Sequence, residues 1–210
     1  MITILSGLFI KNRDQFGNSD VRRAYGMLCS IVGIALNVFL FAGKYLAGVI
    51  SGSIAITADA FNNLSDAGSS FISLVGFKFS GMKADADHPF GHGRIEYVSG
   101  FGVSMIIILM GFELLKTSVG KIFHPESVET STLAVGILIV SICVKAYMFF
   151  YNRSVGTKIQ SETMKATAMD SMSDSIATTA VLVSMGIAYA TGVNVDGWCG
   201  CLVACFVLYA

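Results

Sequence analysis

The sequence predicts an all-α membrane protein, a six-helix transmembrane bundle whose last helix is truncated. Three observations carry this. Of the 210 residues, 54% are hydrophobic and only 13% charged, with mean hydropathy +0.69, the composition of a chain that sits in lipid. Six apolar stretches are spaced along it, five of them near or above the ~20 residues that a spanning helix needs. Basic residues, finally, fall almost entirely on one set of connections. Lys11, Arg13, Arg22 and Arg23 precede the first stretch; Lys78, Lys83 and Arg94 flank the second connection; Arg153, Lys158 and Lys165 flank the fourth. The other connections hold only Lys116 and Lys121, and Lys44 and Lys145 lie inside spans. By the positive-inside rule the N-terminus and the even-numbered connections are cytoplasmic.

The expected spans run over residues 25–50, 54–80, 95–118, 131–152 and 168–191, and a sixth begins near Val195 and continues to Ala210. Residues 1–23 form a cytoplasmic N-terminal segment and 24–210 a transmembrane domain. The apolar start, Met1 to Ile10, has no preceding basic region and no small-residue cleavage pattern, so it does not read as a signal peptide. Ser51-Gly52-Ser53 is expected to make a tight external turn and His124-Pro125-Glu126 to open a short external loop. Short connections make sequential helices antiparallel neighbours, so the second and fifth spans must meet through packing. Small residues favour this: Ala58, Ala60, Ser65, Ala67, Gly68, Ser69 and Ser70 on one, Ala166, Ala168, Ser171, Ser173, Ser175 and Ala177 on the other.

Two polar quartets interrupt these spans, Asn62-Asn63-Leu64-Ser65-Asp66 and Asp170-Ser171-Met172-Ser173-Asp174. In each, two oxygen-bearing side chains stand four residues apart, on one face of a helix and one turn from each other. A carboxylate at bilayer depth costs roughly 3 kcal/mol on insertion scales, so such residues pair, bind ions or line water. With no arginine or lysine expected at matching depth on these helices, Asn62, Asp66, Asp170 and Asp174 read as a divalent-cation site. Oxygen donors without imidazole or thiolate suit a hard ion such as Mn²⁺, Mg²⁺ or Ca²⁺. Three carboxylates against a dication leave one negative charge in excess, a route to exchanging a proton for metal.

A second cluster lies in the cytoplasmic connection, where Asp85, His88 and His92 offer ligand chemistry at close spacing and Gly91 and Gly93 let the loop fold back. Asp59, one turn before Asn62, is expected to support the intramembrane site. Glu113 and Lys116 are expected to pair at an interface, and Asn37 and Lys44 to pack or snorkel. The five cysteines, at 29, 143, 199, 201 and 205, read as buried fillers and not as disulfides. Zero net charge gives no reason to expect a nucleic-acid partner.

Taken with Ser51-Gly52-Ser53-Ile54-Ala55, Ala58-Asp59-Ala60-Phe61 and His88-Pro89-Phe90-Gly91-His92-Gly93-Arg94-Ile95-Glu96, the two quartets make the chain resemble the cation diffusion facilitators from Val21 onward. The resemblance implies a six-helix metal/proton antiporter of the plasma or inner membrane, homodimeric, with a cytoplasmic metallochaperone-like domain after the sixth helix that this chain lacks. It implies that Asn62, Asp66, Asp170 and Asp174 form the transport site and that Asp85, His88 and His92 match a loop site used by some members for zinc. Zinc-transporting members usually carry histidine in place of Asp170; the set found here is similar to the manganese branch, with Zn²⁺ or Fe²⁺ efflux, or a passive divalent-cation channel, as alternatives. No resident cofactor is expected. Enzyme readings find no support: no Asp-Gly-x-x-Ala-Arg segment of a CDP-alcohol phosphotransferase precedes Asp170, and no Gly-x-Gly-Asp segment of an intramembrane protease is present.

Overall fold

The computed structural model describes residues 2–10, 14–51, 54–85, 88–123, 132–192 and 195–209. These form seven helices and, among the described residues, no strand: α1 (Ile2–Phe9), α2 (Ser19–Ser51), α3 (Ile54–Ser80), α4 (Ile95–Phe123), α5 (Thr132–Lys158), α6 (Glu162–Thr191) and α7 (Asp196–Tyr209). The chain is thus an all-α membrane protein. By length and composition α2, α4, α5 and α6 suffice to cross a bilayer. α3 is not among them, because Asp59, Asn62, Asn63 and Asp66 dilute its apolar character. The turn expected at Gly52-Ser53 and the loop at His124-Pro125-Glu126 lie outside the described residues, as does Asn194 of the last connection.

Helix ends follow local chemistry. The Asn18 side chain caps α2 by accepting the Asp20 amide at 2.8 Å. The helix therefore starts within the segment expected to precede the membrane, and at 33 residues it is about 50 Å long. α5 ends in a Schellman motif: the Ser161 amide donates to the Gly156 carbonyl at 2.9 Å and the Gln160 amide to Thr157 at 3.4 Å, with Gln160 at φ 50°. Ser161 then caps the next helix, its hydroxyl accepting the Met164 amide at 3.4 Å. Three residues thus reverse the chain between α5 and α6.

The chain divides into two compact units, Met1–Ser104 with Met148–Ala168, and Met105–Tyr147 with Met169–Ala210. In the first, α2 and α3 pack along their lengths, with Gly48 beside the Thr57 backbone and Gly33 facing Ser70 and Tyr151. The N-terminal turns of α4 and α6 close on each other where Gly100 meets Thr163, whose hydroxyl donates to the Glu96 carbonyl at 2.6 Å. Ser73 of α3 and Thr167 of α6 share a hydroxyl hydrogen bond at 3.3 Å, both buried. Arg22 ties α2 to the reversal, donating from Nε to the Ile159 carbonyl at 2.7 Å and standing 3.6 Å from Glu96. Phe77, Val103, Met148, Ile159 and Met164 fill the interior.

In the second unit Gly197 and Gly200 of α7 seat its first turns against Ser118 and Ile122 of α4. Asp196 accepts Lys121 Nζ at 2.7 Å and the Ser184 hydroxyl at 3.2 Å, joining α4, α6 and α7. The interfacial pair expected between Glu113 and Lys116 does not form. The hydrogen bond described at Glu113 is to its backbone carbonyl, which accepts the Thr117 hydroxyl.

Helix approach through glycine sets the first prediction. A side chain at Gly48 would bring a Cβ to 2.9 Å from Thr57 N and 3.1 Å from Thr57 Cα, while Gly43 has open space around it. Gly48→Leu is expected to destabilise the protein by about 1–3 kcal/mol through overpacking. Gly43→Ala should be neutral or stabilising by up to about 1 kcal/mol, as expected for glycine inside a helix. Thermal midpoints in detergent check both.

Candidate metal centre

Inside the first unit, α3 carries the first quartet. Asp66 is buried at 2% exposure, and Asn62, one turn earlier, is exposed. Asn63, which the spacing argument passed over, is buried and donates from Nδ2 to the Asp59 carbonyl at 3.0 Å. The quartet thus divides its amides: Asn63 is consumed by the helix that carries it, and Asn62 stands open.

Asp59 is engaged differently from expectation. Its carboxylate is 2.8 Å from Nζ of Lys44, a buried lysine on α2. Lys44 therefore neither snorkels nor merely packs; it neutralises Asp59, whose support of the quartet is electrostatic. The register explains the match, because the Gly48–Thr57 approach sets Lys44 one turn away on α2 opposite Asp59 on α3.

In the second unit α6 carries the other quartet, with Asp170 and Ser171 buried and the Asp174 side chain 23% exposed. The expectation that no lysine reaches these carboxylates is overturned. Lys145 of α5, itself 3% exposed, donates from Nζ to Asp174 Oδ2 at 2.6 Å. The cause is helix pairing. The tight α5–α6 reversal lays these helices side by side, as the Ser175 hydroxyl on the Ile142 carbonyl at 3.5 Å also shows. A lysine that looks isolated in a span then faces the second aspartate of the motif. The five cysteines are free; Cys29 alone is buried, so the expectation of buried fillers holds for it and not for the exposed Cys143 and Cys205.

The loop cluster forms within the first unit. Gly91, at φ 76°, turns the chain so that Asp85, His88 and His92 bring one donor atom each to within 4.8 Å of one another. Asp85 Oδ1 accepts the His88 amide at 2.6 Å and lies 3.2 Å from His88 Nδ1, while His92 Nε2 is 3.6 Å from Asp85 Oδ2. The imidazoles stack with centroids 4.3 Å apart. His92 is buried, and its Nδ1 has no hydrogen-bond partner. Two imidazoles and a carboxylate suit a borderline ion such as Zn²⁺ better than a hard one.

The His88 amide, ahead of the facing imidazoles, holds the Asp85 carboxyl below its ordinary value of 3.8. The ionised carboxylate is thereby favoured over the protonated one in the folded loop, so its contribution to loop order is complete above about pH 4 and lost as the pH falls through the lowered value. Protection of the His88 amide against exchange should persist at pH 5 and disappear only in stronger acid. Asp85→Asn should weaken that protection at neutral pH, measured by amide hydrogen exchange.

Known proteins place this arrangement. Residues 30–210 match the model of the cation efflux transmembrane domain. An uncharacterised transporter of Methanocaldococcus jannaschii is 33% identical over 159 residues, covering 76% of this chain and 55% of its own length. The magnetosome protein MamM of Magnetospirillum gryphiswaldense is 32% identical over 156 residues, 73% of this chain and 49% of its own. The manganese efflux system protein MneS of Bacillus subtilis is 31% identical over 150 residues, 69% of this chain and 50% of its own. The chain spans about half the length of these relatives. With the family domain matched over nearly its whole length, the chain belongs to the cation efflux, or cation diffusion facilitator, family, a family of transporters and not of enzymes.

Proposed function

We propose that the protein exports divalent metal cations, with Mn²⁺ as the principal substrate, exchanging metal for protons by alternating access across the plasma membrane. The observation that carries this is the pair of Asn/Asp and Asp/Asp quartets within helices α3 and α6, each with at least one buried aspartate. In this reading Asn62 and Asp66 meet Asp170 and Asp174 about one metal ion. Support comes from the shared spacing of the two quartets, which puts each pair of oxygen donors on one helix face within an apolar span. The hardness of four oxygen donors and the name of the MneS relative both favour manganese over zinc.

Metal enters from the cytoplasm, displaces a proton from Asp66, Asp170 or Asp174, and leaves outward as protons return. The N-terminus is cytoplasmic, residues 24–210 form the membrane domain, and the working unit is a homodimer. The Asp85–His88–His92 loop is a separate peripheral site for a transition metal, best matched to Zn²⁺.

Metal uptake into inside-out vesicles tests this. Mn²⁺ uptake driven by an inside-acid gradient and exceeding Zn²⁺ uptake is the expected result; flux indifferent to pH means a passive channel. Asp66→Asn and Asp174→Asn should each lower Mn²⁺ flux by about 100-fold or more while leaving insertion intact, since each removes a charged ligand. Undiminished flux overturns the ligand set. Asp170→His should raise the Zn²⁺/Mn²⁺ flux ratio, and an unchanged ratio moves selectivity elsewhere.

A further inference from the structure

We propose that Lys145 is a tethered competitor for the transported ion: its ammonium occupies Asp174 when the site is empty, and only a divalent cation displaces it. The inference rests on the reading of Asp174 as a metal ligand. The lysine–aspartate pairs that Lys44, Lys121 and Lys145 make among the described residues are not equivalent. Lys44 holds Asp59 and Lys121 holds Asp196, carboxylates outside the proposed ligand set. Lys145 alone of the three takes a proposed ligand, at 2.6 Å and with only 3% of its side chain exposed.

A cation bonded directly to Asp174 Oδ2 and an ammonium 2.6 Å from the same atom exclude each other. Their repulsion at such range is large wherever the dielectric is low. The lysine stem has four flexible carbons, so the ammonium is free to swing aside while its helix stays in place. Displacement sets a charge threshold. A monovalent ion gains from Asp174 no more than the ammonium already there, whereas a dication gains about twice as much from the same carboxylate. Lys145 thereby rejects Na⁺ and K⁺, which are abundant and equally fond of oxygen ligands. As the metal departs, the ammonium returns, and the empty site recrosses the membrane with Asp174 neutralised.

The test is Mn²⁺ binding to the purified full-length protein by calorimetry at one fixed pH. Wild type is compared with Lys145→Met, Lys145→Gln, Lys145→Arg and Asp174→Asn, with the loop cluster intact throughout and thermal midpoints recorded for each. Removing the competitor should tighten Mn²⁺ binding by about tenfold or more in Lys145→Met and Lys145→Gln, since a bound counter-ion no longer has to leave. In both variants 150 mM KCl, about the physiological ionic strength, should weaken Mn²⁺ binding more than it does in the wild type. Lys145→Arg should keep wild-type affinity. A lysine that only braces the helices predicts the opposite sign, so unchanged or weaker Mn²⁺ binding in folded Lys145→Met and Lys145→Gln overturns the proposal while Asp174→Asn still loses affinity. If Asp174→Asn binds Mn²⁺ as the wild type does, the ligand assignment beneath the proposal fails, and the proposal with it.

Discussion

A carboxylate inside an apolar span has to be met by positive charge, and the helices of this chain are arranged around that requirement. Lys44 meets Asp59, Lys121 meets Asp196 and Lys145 meets Asp174, each lysine on a neighbouring helix. Each pairing fixes a register, because a one-residue slip turns a helical side chain by about 100° and separates the charges. Removing Asp59 or Asp174 strands a deeply buried lysine, an uncompensated charge that is strongly destabilising, whereas Lys121 is partly exposed and is penalised less. The helices are therefore committed to their partners by charge as well as by shape. The proposed transport chemistry draws on the same economy, since a dication is another way of satisfying aspartates there.

Shape is settled by small residues. Gly48, Gly76, Gly100 and Gly156 in one unit, and Gly197 and Gly200 in the other, let helices approach to near backbone contact. Within a membrane, where lipid tails are as apolar as leucine, such close contact and buried hydroxyl bonds replace the hydrophobic effect as the force between helices. Ser73–Thr167 and Thr163–Glu96 are bonds of this kind, and they bring the first turns of α6 against α3 and α4.

Much of this was legible in the sequence because it is local. Spans declare themselves through runs of apolar residues, and the observed helices begin or end within a few residues of the expected limits except where α2, α4, α5 and α6 extend past the apolar stretch. The quartets are legible for the same reason: four-residue spacing defines a helix face without knowledge of the fold. The loop cluster is legible from three ligand-type residues and a glycine that can turn the chain. What stayed hidden depends on which helix faces which. Lys145 and Lys44 are single charges averaged away in any hydropathy profile, and their roles appear only once α5 lies against α6 and α2 against α3. The fates of Asn62 and Asn63 differ by one residue of helix rotation, which spacing does not resolve.

The three-residue reversal at Ile159–Ser161 has a kinetic meaning. Its carbonyls and amides are closed by the Schellman bonds, by the Ser161 cap and by Arg22, leaving no slack for α5 to slide along α6. At the reversal the two helices are joined without slack, and farther along them the Lys145–Asp174 contact links residues of one compact unit. Opening and closing the Lys145–Asp174 contact is a side-chain event, distinct from the microsecond-to-millisecond movements of whole helices. Occupancy of Asp174 changes by a swing of one side chain, with no change of helix orientation required.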